Sequence, residues 1–241
     1  MPASRAMFAE VVGTFALMFV SGAAIIISEG DDLTLIALAT GLVLAVMVSA
    51  TLHISGAQFN PAVSLALFVA GRQSRGRTIT FILAQIGGAV LAALALKYLF
   101  QGAYADEITR VKLGATLGAY TSGDDPSLLR PGQACALEMI AAFLLMFVIM
   151  GTAVDQRGIG KSAAVGGFGI GLVVAADILA IGPLTGASMN PARSLAPALI
   201  AGGDAWSCHW VYWFGPILGT VTAALTYQAV FGPLDRAADA S

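Results

Sequence analysis

The tripeptide Asn-Pro-Ala stands twice in the chain, at Asn60-Pro61-Ala62 and Asn190-Pro191-Ala192, and Arg193 directly follows the second copy. These residue types offer hydrogen bonding and fixed charge rather than a nucleophile or a general base. Asn is a strong helix N-cap and Pro is favoured at the first helical position, so each tripeptide predicts the start of a helix. Both starts fall inside apolar sequence. A helix that begins at membrane depth leaves its first N–H groups unpartnered, and lipid supplies no acceptor, so protein or water must lie beyond the tip. Two such tips imply a water-filled lumen. Three carboxylic acids, Glu10, Glu138 and Asp177, also sit within apolar runs, where an ionisable group is costly unless it has a task.

The surrounding chain has the composition of a membrane protein. Of 241 residues, 58% are hydrophobic and 11% are charged, whereas about 25% are charged in an average soluble protein. The net charge of -2 says little, but the dispersed arginines and the lack of a basic patch interleaved with aromatics argue against nucleic acid as a partner. Two cysteines, Cys135 and Cys208, without CxxC spacing and with few histidines, indicate neither a zinc site nor a disulfide framework. No phosphate cradle or catalytic constellation is present. An enzyme is not expected, and no metal or cofactor is called for.

Stretches without Asp, Glu, Lys or Arg run over Val11 to Ser28, Leu33 to Gly71, Thr78 to Leu96, Met139 to Val154, Ser162 to Ala176 and Ala205 to Leu234. A spanning helix needs about 20 mainly apolar residues. Leu33 to Gly71 is too long for one span and predicts a helix, a re-entrant loop from His53 to Phe59, and a half-helix from Asn60. After Gly182, a loop through Pro183-Leu184-Thr185-Gly186 leads to Asn190 and a second half-helix ending near Ala201. The expected fold is an all-α membrane protein with six transmembrane helices and two re-entrant half-helices. Arg5 ahead of an apolar run resembles a signal peptide, but Glu10 inside the run and the run's length predict a retained first helix.

The two halves repeat. Ala9-Glu10 through Phe15-Ala16-Leu17-Met18-Phe19 matches Leu137-Glu138 through Phe143-Leu144-Leu145-Met146-Phe147 at an offset of 128 residues. The Asn-Pro-Ala sites are offset by 130, and Gly88-Ala89-Val90 against Gly219-Thr220-Val221 by 131. One domain over 1–241 is expected, with repeat 1 at about 5–100, a loop at about 101–130 and repeat 2 at about 131–232. Three spans per half is an odd number, so the second half inserts upside down. Inverted repeats with broken helices also build secondary transporters. A proton-coupled transporter of a small neutral solute, using Glu10, Glu138 or Asp177, therefore stands beside a passive channel.

Seven basic residues (Arg5, Arg72, Arg75, Arg77, Arg157, Lys161, Arg236) fall on one side of this topology and three (Arg110, Lys112, Arg130) on the other. The excess predicts both termini in the cytoplasm, in a plasma or inner membrane, with Glu29 to Asp32 and 101–130 facing outward.

The segments His53-Ile54-Ser55-Gly56-Ala57-Gln58-Phe59-Asn60-Pro61-Ala62-Val63 and Gly186-Ala187-Ser188-Met189-Asn190-Pro191-Ala192-Arg193-Ser194 resemble the aquaporin or major intrinsic protein family, and the resemblance extends over essentially the whole chain. With Pro183-Leu184-Thr185 before it, the second segment is most similar to the nodulin-26-like branch and its bacterial relatives. The resemblance implies an aquaporin-like homotetramer in lipid, with one pore per subunit for water and small neutral solutes. Matched by spacing, the family's outer constriction falls on Thr40, Ile178, Ala187 and Arg193. Strict water channels resemble Phe at the first of these places and His at the second. Thr and Ile imply a wider ring, an apolar wall facing a donor, open to glycerol, urea, ammonia, or boric or arsenous acid alongside water. Ser194, where glycerol facilitators resemble Asp, and Tyr212-Trp213 lean toward water.

Each cap oxygen should accept a backbone N–H and leave its NH2 group facing the lumen, so that a water gives its oxygen to both amides and cannot relay protons through the centre. The helix N-termini, each roughly half a positive charge, would repel cations. By resemblance, Glu10 and Glu138 accept N–H groups of the two loops; His53, which begins the first signature, has anchoring of that loop or gating by pH as its readings. Asp177 stands where the family resembles Asn, with protonation by burial, bonding to the loop before Asn190, or contact with solute as its readings. Gly167 and Gly171, Gly215 and Gly219, and Gly87 and Gly88 are expected at close helix crossings.

Overall fold

The computed structural model describes residues 2–117, 129–157 and 163–232. Among these, six helices are long and apolar enough to cross a bilayer. They are α1 (Ala3–Ile27), α2 (Leu33–Ser55), α4 (Arg75–Phe100), α6 (Pro131–Ile149, continued by a π turn over Met150–Val154), α7 (Ala163–Thr185) and α9 (Val211–Phe231). Two shorter helices, α3 (Pro61–Val69) and α8 (Pro191–Ala201), follow the two asparagines. At about 1.5 Å rise per residue, each reaches roughly halfway through a 30 Å hydrocarbon layer. A short α5 (Ala105–Arg110) lies in the connection between the halves.

Local chemistry sets the helix ends. Asp32 and Ser74 cap α2 and α4 by accepting the N–H groups of Leu35 and Arg77, and Pro131 opens α6 at the position where a missing N–H costs nothing. The re-entrant loops are shorter than the sequence suggested, because α2 continues through His53 to Ser55 and α7 through Pro183 to Thr185. The true stops are Gly56 and Gly186, at φ of 88° and 80°. Each donates its N–H back into the helix, to Leu52 at 3.0 Å and to Gly182 at 2.8 Å, a left-handed closure that glycine adopts without strain. Pro183, in the last turn, only forgoes one backbone bond and cannot end the helix earlier.

Helices pack as symmetry-related pairs: α1 on α4, α6 on α9, and α2 on its own counterpart α7. Glycine permits each close approach. A Cβ on Gly88 would overlap the Val11 carbonyl, one on Gly219 the Met139 carbonyl, and one on Gly171 the Gly41 carbonyl. Gly167 and Gly215 are equally confined, against Ser49 and Ala45 and against Glu138 and Cys135. Gly87 is different, since nothing lies within 4 Å of its Cβ direction. Neighbouring helical residues point about 100° apart, so Gly88 alone faces α1.

Each half-helix is held by the opposite half, α3 by α9 and α8 by α4. Thr220 in α9 donates its hydroxyl to the Ala62 carbonyl at 3.0 Å. Cys135 and Cys208 are free thiols against Ala134, Val211 and Tyr212. Of the basic residues used to orient the chain, Lys161 and Arg236 lie outside the described residues, as do 118–128 of the expected 101–130 loop.

Candidate functional site

Beyond Gly56 and Gly186 the two loops trace the same backbone. Ala57 and Phe59 have φ of 48° and 50°, and Ala187 and Met189 have 43° and 52°. Left-handed non-glycine residues cost roughly 1–2 kcal/mol each, so such turns persist only where their surroundings hold them. Two buried carboxylates do so. Glu10 Oε1 accepts the Ser55 hydroxyl at 2.6 Å and the Gln58 N–H at 3.0 Å, while Oε2 accepts the Phe59 N–H at 2.7 Å and Gln85 Nε2 at 2.8 Å. Glu138 Oε1 accepts the Thr185 hydroxyl at 2.8 Å and the Ser188 N–H at 2.9 Å, and Oε2 the Met189 N–H at 2.7 Å. Ser55 and Thr185 in turn accept the N–H groups of Ala57 and Ala187.

The turns deliver the two asparagines tip to tip. Asn60 Oδ1 accepts the Ala62 N–H at 2.9 Å, and Asn190 Oδ1 accepts those of Ala192 at 3.0 Å and Arg193 at 3.4 Å. Asn60 Nδ2 then donates to the Met189 carbonyl at 2.8 Å, and Asn190 Nδ2 to the Phe59 carbonyl at 2.9 Å. The amides are therefore more constrained than expected: one proton of each ties the opposite loop, and only the second remains for the lumen. Pro61, Ala62, Pro191 and Ala192 are buried behind these tips.

Three cavities are connected here through shared lining residues. The central one, about 40 Å³, is walled by both asparagines and by apolar side chains such as Leu44, Val63 and Val174. A water needs about 10–15 Å³ on this measure, so roughly three fit. A cavity of about 420 Å³ beside Arg72 shares Ala57, Gln58, Val63, Ile149 and Ile170 with it. On the other side, a cavity of about 440 Å³ beside Glu29 and Arg110, which form an exposed ion pair, shares Ile178 and Arg193. Thr40, Ile178, Ala187 and Arg193, the four positions that the family resemblance pointed to, all line the central cavity. Thr40 Oγ1 and Arg193 Nη1 are buried without a hydrogen-bond partner. Such donors are costly in a dry apolar wall.

Ser194, next to Arg193, meets the Ser188 hydroxyl and accepts the Thr116 hydroxyl at 2.7 Å. Tyr212 donates its hydroxyl to the Thr185 carbonyl at 2.7 Å. Thr116 was not foreseen, because a threonine in a loop carries no pattern.

Two expectations fail. His53 faces outward on the last turn of α2 and bonds no loop group; the loop's N–H groups go to Glu10 and Ser55 instead. Asp177 is buried with Oδ2 unbonded, and lies neither on the loop before Asn190 nor on the cavity wall, because Glu138 already takes the loop's donors. A third group went unseen: Gln58, Gln73 and Gln85 form one buried network with Ser64 and Glu10. The available signal was Gln85 alone in an apolar span, where an amide demands partners.

Two opposed half-helix tips joining cavities from both ends of a six-span bundle define an inverted-repeat membrane pore. The family model described as "Major intrinsic protein" matches residues 1–227. Over 240 residues the chain is 43% identical to "Aquaporin TIP4-4" of Zea mays, covering 94% of this chain and 86% of that one. It is 37% identical to "Aquaporin NIP1-1" of Zea mays, covering 95% and 76% respectively. The fold matches the "X-ray structure of the aquaglyceroporin from Plasmodium falciparum" with a TM-score of 0.85 at 24% identity, covering 96% of this chain and 98% of that one. The chain belongs to the major intrinsic protein family, whose members are membrane channels rather than enzymes.

Proposed function

We propose that this chain is a passive channel for water and small uncharged solutes that excludes protons and ions, built as a homotetramer with one pore per subunit. The supporting observation is the central cavity, where both asparagine amides and the ring Thr40, Ile178, Ala187 and Arg193 meet between two open vestibules. A water beside the asparagines gives its oxygen to their remaining N–H groups, so its own protons point away from the centre and a proton chain is broken. The positive ends of α3 and α8, with the Arg193 charge, raise the barrier for cations. Thr40 and Ile178 leave one wall small and apolar opposite the arginine, which suits glycerol-sized molecules carrying hydroxyl or amide groups. On this reading both termini are cytoplasmic, the Arg72 vestibule is the inner mouth and the Glu29 vestibule the outer, in a plasma or inner membrane.

A proton-coupled transporter needs a carboxylate open to the path. Glu10 and Glu138 have both oxygens engaged by hydrogen bonds, and neither lines any of the three cavities described above. The test is swelling of proteoliposomes with water and with glycerol. Replacing Thr40→Phe together with Ile178→His is expected to abolish glycerol flux and preserve water flux. Unchanged glycerol flux would remove the ring from the proposal, and saturation with dependence on a proton gradient would favour the transporter.

A further inference from the structure

Gln58 is a lining residue of both the central cavity and the Arg72 vestibule, and its Nε2 lies 3.9 Å from where a Cβ on Gly56, another residue of the vestibule wall, would stand. The sense of every hydrogen bond around it can be worked out from groups that have only one role. Gln73 Nε2 donates to the Ser64 carbonyl at 2.8 Å and to Thr78 Oγ1 at 2.9 Å. A backbone carbonyl only accepts, which makes that atom of Gln73 the amide nitrogen and leaves Gln73 Oε1 as an acceptor. Gln58 must then turn its own nitrogen toward it, and does so at 2.8 Å. From the other side, Gln85 Nε2 donates to Glu10 Oε2 at 2.8 Å and to Ser64 Oγ at 2.9 Å. The Ser64 proton is thereby directed to Gln58 Oε1, at 2.5 Å.

Both ends of the Gln58 amide are thus committed: its oxygen is occupied by Ser64, one N–H by Gln73, and only the second N–H remains for the lumen. We propose that this N–H is a further binding station for permeants that accept hydrogen bonds, a selectivity element at the opposite mouth from Thr40 and Arg193, and that Gln73 is its positioning residue. The inference rests on the channel reading above. A free glutamine would rotate and offer donor and acceptor alternately. This one offers a donor only, so it compensates the desolvation of a water or hydroxyl oxygen and gives nothing to a cation. Gln73 comes from the turn between α3 and α4 and is itself buried, so its contribution passes through Gln58 rather than by touching the permeant.

The test is a double-mutant cycle on water permeability per reconstituted protein, read by stopped-flow light scattering on vesicles. Gln58→Leu removes the donor at similar volume, and a lost hydrogen bond of ordinary strength lowers permeability about five-fold. Gln73→Leu leaves the donor present but unoriented and is expected to lower it about two-fold. The pair together should be no worse than Gln58→Leu alone, because a positioning residue has nothing left to position. A purely structural Gln73 would instead multiply its loss onto that of Gln58, and would show it as less folded protein rather than slower flux. Gln58→Met serves as the second donor-free variant should Leu prevent insertion. The proposal is overturned if Gln58→Leu and Gln58→Met conduct at the parent rate, or if the two losses multiply in full. A parent protein with no flux above empty vesicles would overturn the channel reading itself, and that result is distinct from either.

Discussion

The two re-entrant loops share a backbone and differ in what stands behind it. Around Asn60, Glu10 accepts four bonds and is continued by Gln85, Ser64, Gln58 and Gln73, an amide-rich chain with a definite direction. Around Asn190, Glu138 accepts three bonds, and the corresponding space holds small hydroxyls, Ser188, Ser194 and Thr116, beside the partly unpartnered Arg193. The shared part follows from the repeat, since two identical helix tips can meet only if both turns are held alike. The unshared part distinguishes the mouths: a neutral, oriented amide at one, a fixed positive charge at the other.

Breaking the shared part should cost most. Glu10→Ala strands the N–H groups of Gln58 and Phe59, and Glu138→Ala those of Ser188 and Met189. Each buried donor left unpaired costs about 1–3 kcal/mol. Both variants are expected to unfold far below the parent in detergent, Glu10→Ala by more because it also releases Gln85. Near-parental midpoints would mean that the carboxylates do not hold the loops.

A matched pair of crossings sharpens the symmetry. Gly88→Ala and Gly219→Ala each drive a Cβ into a facing carbonyl and should lose similar stability, about 1–3 kcal/mol. Gly87→Ala, with open space before it, should change stability by less than about 0.5 kcal/mol. Thermal unfolding of the three variants checks the contrast, and equal loss at Gly87 would contradict the packing described.

Arg193→Ala acts on one mouth only. It is expected to raise urea and ion leak while leaving the unfolding midpoint nearly unchanged, because the guanidinium keeps one nitrogen unpartnered in the parent. An unaltered ion leak, measured by vesicle conductance, would deprive the arginine of its role.

The smallest effect concerns Asp155, which the first half does not repeat, having Ile27 at the 128-residue offset. Arg157 and Tyr227 bond its carboxylate, and the arginine holds it well below the ordinary aspartate value of 3.8. A depressed carboxyl stabilises the fold above that ordinary value and loses the contribution as pH falls below it toward the folded-state value. The midpoint difference between parent and Asp155→Asn should therefore be constant from neutral pH to about pH 5 and shrink below about pH 4. A difference that grew on acidification would have the wrong sign.

Much of this was legible in the residues. The two Asn-Pro-Ala caps specify helix starts by local chemistry and the offset of Glu10 to Glu138 marks the repeat, while Thr40, Ile178, Ala187 and Arg193, which line the central cavity, were reached only through the family resemblance. Less legible was whatever depends on where a helix stops rather than starts. His53 and Pro183 look like loop residues, yet the left-handed glycines three residues later end the helices, and a one-turn extension carried His53 to the outside. The glutamine chain was hidden for another reason. Its members come from α4 and two separate loops, and only the fold brings them into one line.

The central claim is that two opposed tips make a continuous wet path that passes neutral molecules and blocks protons. It is tested most directly by following volume and internal pH together in proteoliposomes carrying an osmotic step and a proton gradient. The account predicts rapid, non-saturating swelling in water and glycerol with proton leak no faster than in empty vesicles. Swelling no faster than in empty vesicles, or proton flux that rises with the water flux, would contradict it.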